Sequence, residues 1–102
     1  MIQNTYELAL GLFLIKRISS CNNAYGLVKV LERKFDIFTP AEFINNLITN
    51  KMIEYIDVNG VKYFTITQLG ENFLTQYGIE TLLNEMLLNC PQQEDFIKLL
   101  KK

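Results

Sequence analysis

Four polar side chains in the middle of the sequence have the types and the spacing to hydrogen-bond a partner specifically. They are Glu42, Asn45, Asn46 and Thr49. At 100° per residue they fall on one side of a helix, with Thr39 at its start. An asparagine amide can bond adenine through two atoms, so this side of the helix is a candidate for contact with base edges. The alternative is that Asn and Thr are ordinary solvated residues on an exposed helix.

Basic side chains could supply contacts to a phosphate backbone. The candidates are Lys16, Arg17, Lys29, Arg33, Lys34 and Lys62. A net charge of −1 and a pI near 5.4 argue against strong nonspecific phosphate binding, because that binding comes from Lys and Arg releasing counterions. Lys16 and Arg17 also have a purely structural explanation, since cations stabilise the C-terminal end of a helix.

Enzymatic chemistry is not indicated. The chain contains no histidine, which is the commonest general base and metal ligand, and it has no glycine-rich phosphate loop. Cys21 and Cys90 lack metal-ligand spacing, and buried reduced thiols are the expected state of both. The sequence therefore predicts no catalytic residue, no metal and no cofactor. The apolar run at residues 8–15 is too short to span a bilayer and lacks the flanks of a signal peptide, so a cytoplasmic location without membrane contact is expected.

Three helices are predicted before the middle of the chain, over residues 6–19, 24–35 and from 40 onward. The first is apolar on more than one face and should be buried on both sides. A polar break at residues 19–23 separates it from the second. Thr39 can cap the third helix, with Pro40 at its first position and Glu42 closing a capping box.

Asn59-Gly60 predicts a two-residue hairpin turn between apolar-rich segments. A two-residue loop pairs Val58 with Val61 and Asp57 with Lys62, the latter as a cross-strand charge pair. One face then suits the core, and it carries Ile53, Tyr55, Phe64 and Ile66. The other face is unusually apolar, with Ile56, Val58, Val61 and Tyr63. It could be a partner surface, or it could pack under the C-terminal helices.

Thr67 can cap a fourth helix that ends at Gly78, and a fifth follows from Ile79. Pro91 ends the fifth helix, and a last helix is predicted over residues 92–102. One α+β, predominantly helical domain is predicted over residues 1–102, with a core at 6–77. Because the first helix and the helices at 79–102 carry more apolar positions than one small core needs, a homodimer through the terminal helices is expected.

The segments YGLVKVLERKF, FTPAEFINNLITNKMIEYI and VNGVKYFTITQLGENFL together resemble winged-helix regulators of the PadR and MarR type. The family's closing Tyr-x-Leu-Thr-x-x-Gly motif reads FTITQLG here, over residues 64–70, with Phe64 at the Tyr position and Ile66 at the Leu position. The resemblance implies a winged helix-turn-helix fold, with the third helix reading duplex DNA, Asn59-Gly60 as the wing tip and the terminal helices as the dimer contact. The chain departs from the family in two places. The outward side of the third helix has Glu42 and no cation, and the wing tip is Val-Asn-Gly-Val, with Lys62 as its only basic residue.

Two functions follow from these patterns. The first is a DNA-binding transcriptional regulator that acts as a dimer. The alternative is a winged-helix module that binds a protein partner, or an accessory subunit, without DNA binding. The two differ in the placement of charge, because DNA binding requires the basic residues of the first two helices to lie beside the third.

Overall fold

The computed structural model describes residues 5–101 as an α+β arrangement of six α-helices and one two-stranded antiparallel sheet. The helices are α1 (Thr5–Arg17), α2 (Ala24–Lys34), α3 (Pro40–Thr49), α4 (Gln68–Tyr77), α5 (Ile79–Asn89) and α6 (Glu94–Lys101). The strands are β1 (Ile53–Val58) and β2 (Val61–Ile66), between α3 and α4. Within the described range, no helix is long and apolar enough to cross a membrane.

Helix α1 is the centre of the core. Every residue from 8 to 14 is buried, because α3, α4 and α5 pack around the helix. The prediction of burial on both sides is confirmed, and the chain itself provides that burial. The helix ends at Arg17 rather than at residue 19, and the predicted polar break contains a short 3-10 helix, Ser19–Asn22, whose Cys21 is fully buried.

The caps of α2 and α3 differ. Asn23 caps α2, since its side chain accepts a hydrogen bond from the Gly26 amide at 2.9 Å. Thr39 occupies the cap position of α3, but its side chain makes no capping hydrogen bond, so the predicted capping box with Glu42 is wrong. The reason is the backbone: Thr39 has a ψ of 68°, whereas a capping residue needs an extended ψ to turn its oxygen toward the helix amides.

The hairpin has the predicted turn and register. Asn59 and Gly60 both have positive φ, 54° and 83°, and Val58 pairs with Val61. Only Ile53 and Phe64 are buried in the two strands. The prediction that Tyr55 lies in the core is wrong: its side chain is 45% exposed, and every residue of β1 after Ile53 is exposed.

The start of α4 joins the hairpin to the helices. Thr67 caps the helix, accepting from the Gly70 amide at 3.0 Å, as predicted. The Thr67 amide in turn donates to the Met52 carbonyl at 2.9 Å. Gly70 is buried against that carbonyl, and a Cβ there would overlap it. The family-like motif therefore ends in a glycine because α4 approaches the end of α3 too closely for a side chain.

The C-terminal helices complete the core of this one chain. The buried residues of α5 and α6 are Leu82, Leu83, Met86, Ile97 and Leu100. Gly78 ends α4 with a φ of 92°, and a second 3-10 helix, Pro91–Gln93, precedes α6, which starts later than predicted. Lys102 and residues 1–4 lie outside the described residues. The apolar excess from which the dimer was predicted is thus largely used within the monomer, with Leu88 and Leu99 among the side chains left exposed.

Candidate functional site

The predicted polar side of α3 faces outward. Glu42, Asn45 and Thr49 are exposed, as is Thr39 before the helix, while Asn46 is half-buried. Because Phe43, Ile44 and Leu47 pack inward, the exposed face can offer a partner one carboxylate, one or two amides and a hydroxyl. This face carries no cation. It can bond to a partner, but it cannot by itself attract a phosphate backbone.

A groove of about 260 Å³ runs beside α3. Its lining residues are Ala24, Val28, Ala41, Ile44, Asn45, Ile48 and Tyr55. Six of the seven are apolar or aromatic, and none is charged. The surface next to Asn45 is therefore suited to apolar contact rather than to phosphate.

The basic residues of α1 are directed to the C-terminal half of the chain. Lys16 forms a salt bridge with Glu71 of α4, with its Nζ 3.0 Å from Oε1. Arg17 donates from Nη2 to the Leu100 carbonyl of α6 at 3.0 Å. Both residues are candidates for contacts to DNA phosphates. Within the chain they contact α4 and α6, because the last turn of α1 is next to those helices.

The basic residues of α2 lie in a different groove from Asn45. Lys29, Arg33 and Lys34 line a depression of about 450 Å³ that we call the α2 groove. The Lys29 Nζ is 5.2 Å from the ring centre of Tyr25, and the Lys34 Nζ is 5.1 Å from that of Phe96 in α6. No residue lines both grooves. Helix α2 nevertheless contributes to both, since Ala24 and Val28 line the groove beside α3.

The hairpin tip also differs from the prediction. Asp57 and Lys62 are opposite each other in register, but they form no salt bridge within the described residues. The Asp57 carboxylate instead accepts from the Gly60 amide at 2.9 Å and so stabilises the turn. The Lys62 Nζ lies 5.8 Å from the centre of the Tyr55 ring, which itself stacks on Phe64 with 5.2 Å between ring centres. Lys62 is therefore held beside an aromatic ring, and the tip at Asn59-Gly60 is uncharged.

The second face of the hairpin is exposed. Ile56, Val58 and Val61 are 45%, 47% and 48% exposed, and Tyr63 beside them is half-buried. We call these four residues the hairpin apolar face. The alternative that they pack under the C-terminal helices is wrong, because α5 and α6 pack against α1, α4 and each other. The chain leaves a cluster of β-branched and aromatic side chains in solvent.

The two thiols are buried, as predicted. Cys21 is fully buried, and this burial raises the pKa of its thiol to about 11. Burial likewise raises the pKa of the Cys90 thiol, with the Asp36 carboxylate adding to the effect. A thiol that stays protonated at neutral pH is a poor nucleophile, so both residues act in packing.

Two exposed aromatic residues were missed at the sequence level. Phe38 is 94% exposed in the connection between α2 and α3, and Tyr25 is 73% exposed on the first turn of α2. Tyr25 lies outside the apolar face of its helix, so helical periodicity could have predicted that its side chain is exposed. Phe38 lies in a connection without periodicity, so no pattern separates it from a buried residue.

Comparison of this chain with protein-family models, with curated proteins and with solved structures finds no match in any of the three.

Proposed function

We propose that the chain is a winged-helix module that docks onto a partner protein through the hairpin apolar face. The order of three helices, a hairpin and a fourth helix supports the winged-helix assignment. The observation that carries the docking is that Ile56, Val58 and Val61 remain about half exposed. Grouped apolar side chains on the surface of a small domain mark interaction sites, because their burial against a partner removes them from water.

The strand edges favour an extended partner segment. Among residues 5–101, no backbone-to-backbone hydrogen bond outside the hairpin's own ladder involves residues 53–66, and the Gly60 amide donates to the Asp57 carboxylate at the tip. The outward amides and carbonyls of the hairpin are therefore available to an added strand, whose alternate side chains would contact the hairpin apolar face. Main-chain pairing would supply affinity, and the contacts with Ile56 and Val58 would supply selectivity.

The distribution of charge supports a protein partner over DNA. The exposed face of α3 has no cation, Lys16 is paired with Glu71, and the cations of α2 lie in another groove. Phosphate contacts provide most of the nonspecific affinity for DNA, and this surface has few groups to make them.

Site-specific photo-cross-linking tests the proposal. A photoreactive phenylalanine at Val58 should cross-link one partner protein in the source cells, and Val61→Glu should abolish the product. The same photoreactive residue at Phe38, which is 94% exposed between α2 and α3, is the matched control and should give no such product. Equal products from both positions, or none from Val58, would show that the hairpin is not the docking surface.

Duplex DNA is the second candidate, because Asn45 and Thr49 are exposed on one side of α3. If α3 reads the major groove, Asn45→Ala should cost about 1–3 kcal/mol at the preferred site and leave the salt dependence unchanged. Lys29→Ala or Arg33→Ala should instead weaken binding to every sequence and lower the salt slope by about one. The test uses fragments from around the gene at low ionic strength, and a lack of salt-dependent binding excludes this candidate.

Dimerisation through the terminal helices stays a prediction. The side chains available for it include Ile79, Leu88 and Leu99, which are 40%, 81% and 67% exposed. Light scattering at tens of micromolar, a range in which a micromolar dimer is well populated, measures the mass directly. A mass near that of one 11.9 kDa chain would contradict the dimer.

A further inference from the structure

The α2 groove is separate from the hairpin and is built by a close helix contact. The 3-10 helix before α2 forms one wall, where the Ser20 carbonyl lies against Gly26. A Cβ at Gly26 would overlap that carbonyl, so the glycine lets the two segments meet. The volume of about 450 Å³ is within the range of ligand-binding sites.

The charge of the α2 groove is one-sided. Three of the chain's ten Lys and Arg residues line it, Lys29, Arg33 and Lys34, and no acidic residue does. Within residues 5–101, none of the three forms a salt bridge. Lys29 and Arg33 are one helical turn apart, so their charges act on the same part of the groove. Because the chain as a whole has a net charge of −1, this positive cluster is a local feature.

The rest of the lining is largely apolar. Tyr25 and Val30 line the groove together with the three cations. The Tyr25 side chain is 73% exposed, and the Val30 side chain is half-buried. The Lys29 Nζ, 5.2 Å from the Tyr25 ring centre, can stay on the ring while it binds an anion. A ligand that matches both features combines carboxylates with an apolar side chain.

We propose that the α2 groove binds an acidic segment of a partner protein. The carboxylates of the segment pair with Lys29 and Arg33, and one of its apolar side chains packs between Tyr25 and Val30. Charge complementarity selects the acidic partner, and the open form of the groove favours a peptide, because a small molecule needs a site that encloses most of its surface. The eleven residues of α2 span about 16 Å, which is the length of about five extended residues.

A displayed library of random peptides of about 12 residues, long enough to span α2, tests this directly. Selection on the full chain should enrich peptides that are acidic and carry an aliphatic or aromatic residue. In fluorescence anisotropy, Lys29→Glu should weaken a labelled enriched peptide by about tenfold or more, because it replaces an attraction by a repulsion. Lys98→Glu, the same change on α6, is the matched control and should leave affinity within about twofold. Tyr25→Ala should also weaken binding, and Phe38→Ala should not.

Several results would overturn the proposal. One is an enriched set that is neutral or basic, and another is equal enrichment on the Lys29→Glu variant. A third is that a short labelled DNA duplex binds more tightly than the peptide and is displaced by it. The cations would then be contacts for phosphate. A change in oligomeric mass on Lys29→Glu would assign the groove to a second copy of the chain. Val58→Glu should leave peptide affinity unchanged. The proposal for the α2 groove can therefore be contradicted without contradicting the proposal for the hairpin apolar face, and the reverse also holds.

Discussion

Replacing Gly70 with alanine is a direct test of how the hairpin is attached to the helices. An ideal Cβ at Gly70 would overlap the Met52 carbonyl oxygen and lie 2.8 Å from Ile66 Cγ2. Relieving the overlap must displace a carbonyl that accepts from the Thr67 amide at 2.9 Å. The same carbonyl lies 3.1 Å from the Thr67 hydroxyl, whose single proton it shares with the Lys51 carbonyl at 2.6 Å. The substitution therefore strains the junction of α3, β2 and α4 at once.

The expected cost follows from three contributions. Two weakened hydrogen bonds cost about 1 kcal/mol each, overpacking costs about 1–3 kcal/mol, and the helix preference of alanine over glycine returns about 1 kcal/mol. Gly70→Ala should thus lower the free energy of unfolding by about 2–4 kcal/mol, a large share of the total stability of a domain this size. Urea denaturation followed by helical circular dichroism should show the midpoint lowered by about 1–2 M.

Leu69→Ala is the control, because the neighbouring side chain is 51% exposed and its loss should change stability by about 0.5 kcal/mol or less. If Gly70→Ala were as stable as the wild type, or more stable by the helix preference alone, α4 would not approach Met52 as closely as described. The close contact with the Met52 carbonyl would then not be the reason for a glycine at position 70.

Thr67→Ala should cost about 1 kcal/mol in urea denaturation and Thr39→Ala much less, because only Thr67 makes a capping hydrogen bond. Leu83→Asp should unfold the chain instead of splitting a dimer, since Leu83 is 4% exposed, whereas Leu88→Asp should fold normally by circular dichroism. Burial raises the Cys21 pKa from 9.0 to about 11, so the folded chain holds its proton longer and stability should fall as pH rises across that interval. Cys21→Ala should reduce this loss in denaturation curves measured through the same pH range.

The elements that depend on neighbouring residues could be predicted from the sequence. Asn59-Gly60 can take two positive φ angles at little cost, and a two-residue loop leaves one register for the strands. The Thr67 cap and the inward face of α3 follow in the same way, because each depends on spacing within one or two helical turns. The Thr39 cap failed because cap formation also depends on a backbone angle that the preceding connection sets.

Only the tertiary structure decided which surfaces were covered. The apolar residues of α1 and α5 could have served a dimer or one core, and packing within the chain put nearly all of them in one core. The hairpin apolar face remained exposed for the same reason, since the C-terminal helices were already engaged with α1 and α4. The six predicted cations likewise separated to α4, α6, the α2 groove and the Tyr55 ring. Residue type and spacing set what each side chain can bind, but its neighbours come from distant parts of the chain, and no local pattern encodes them.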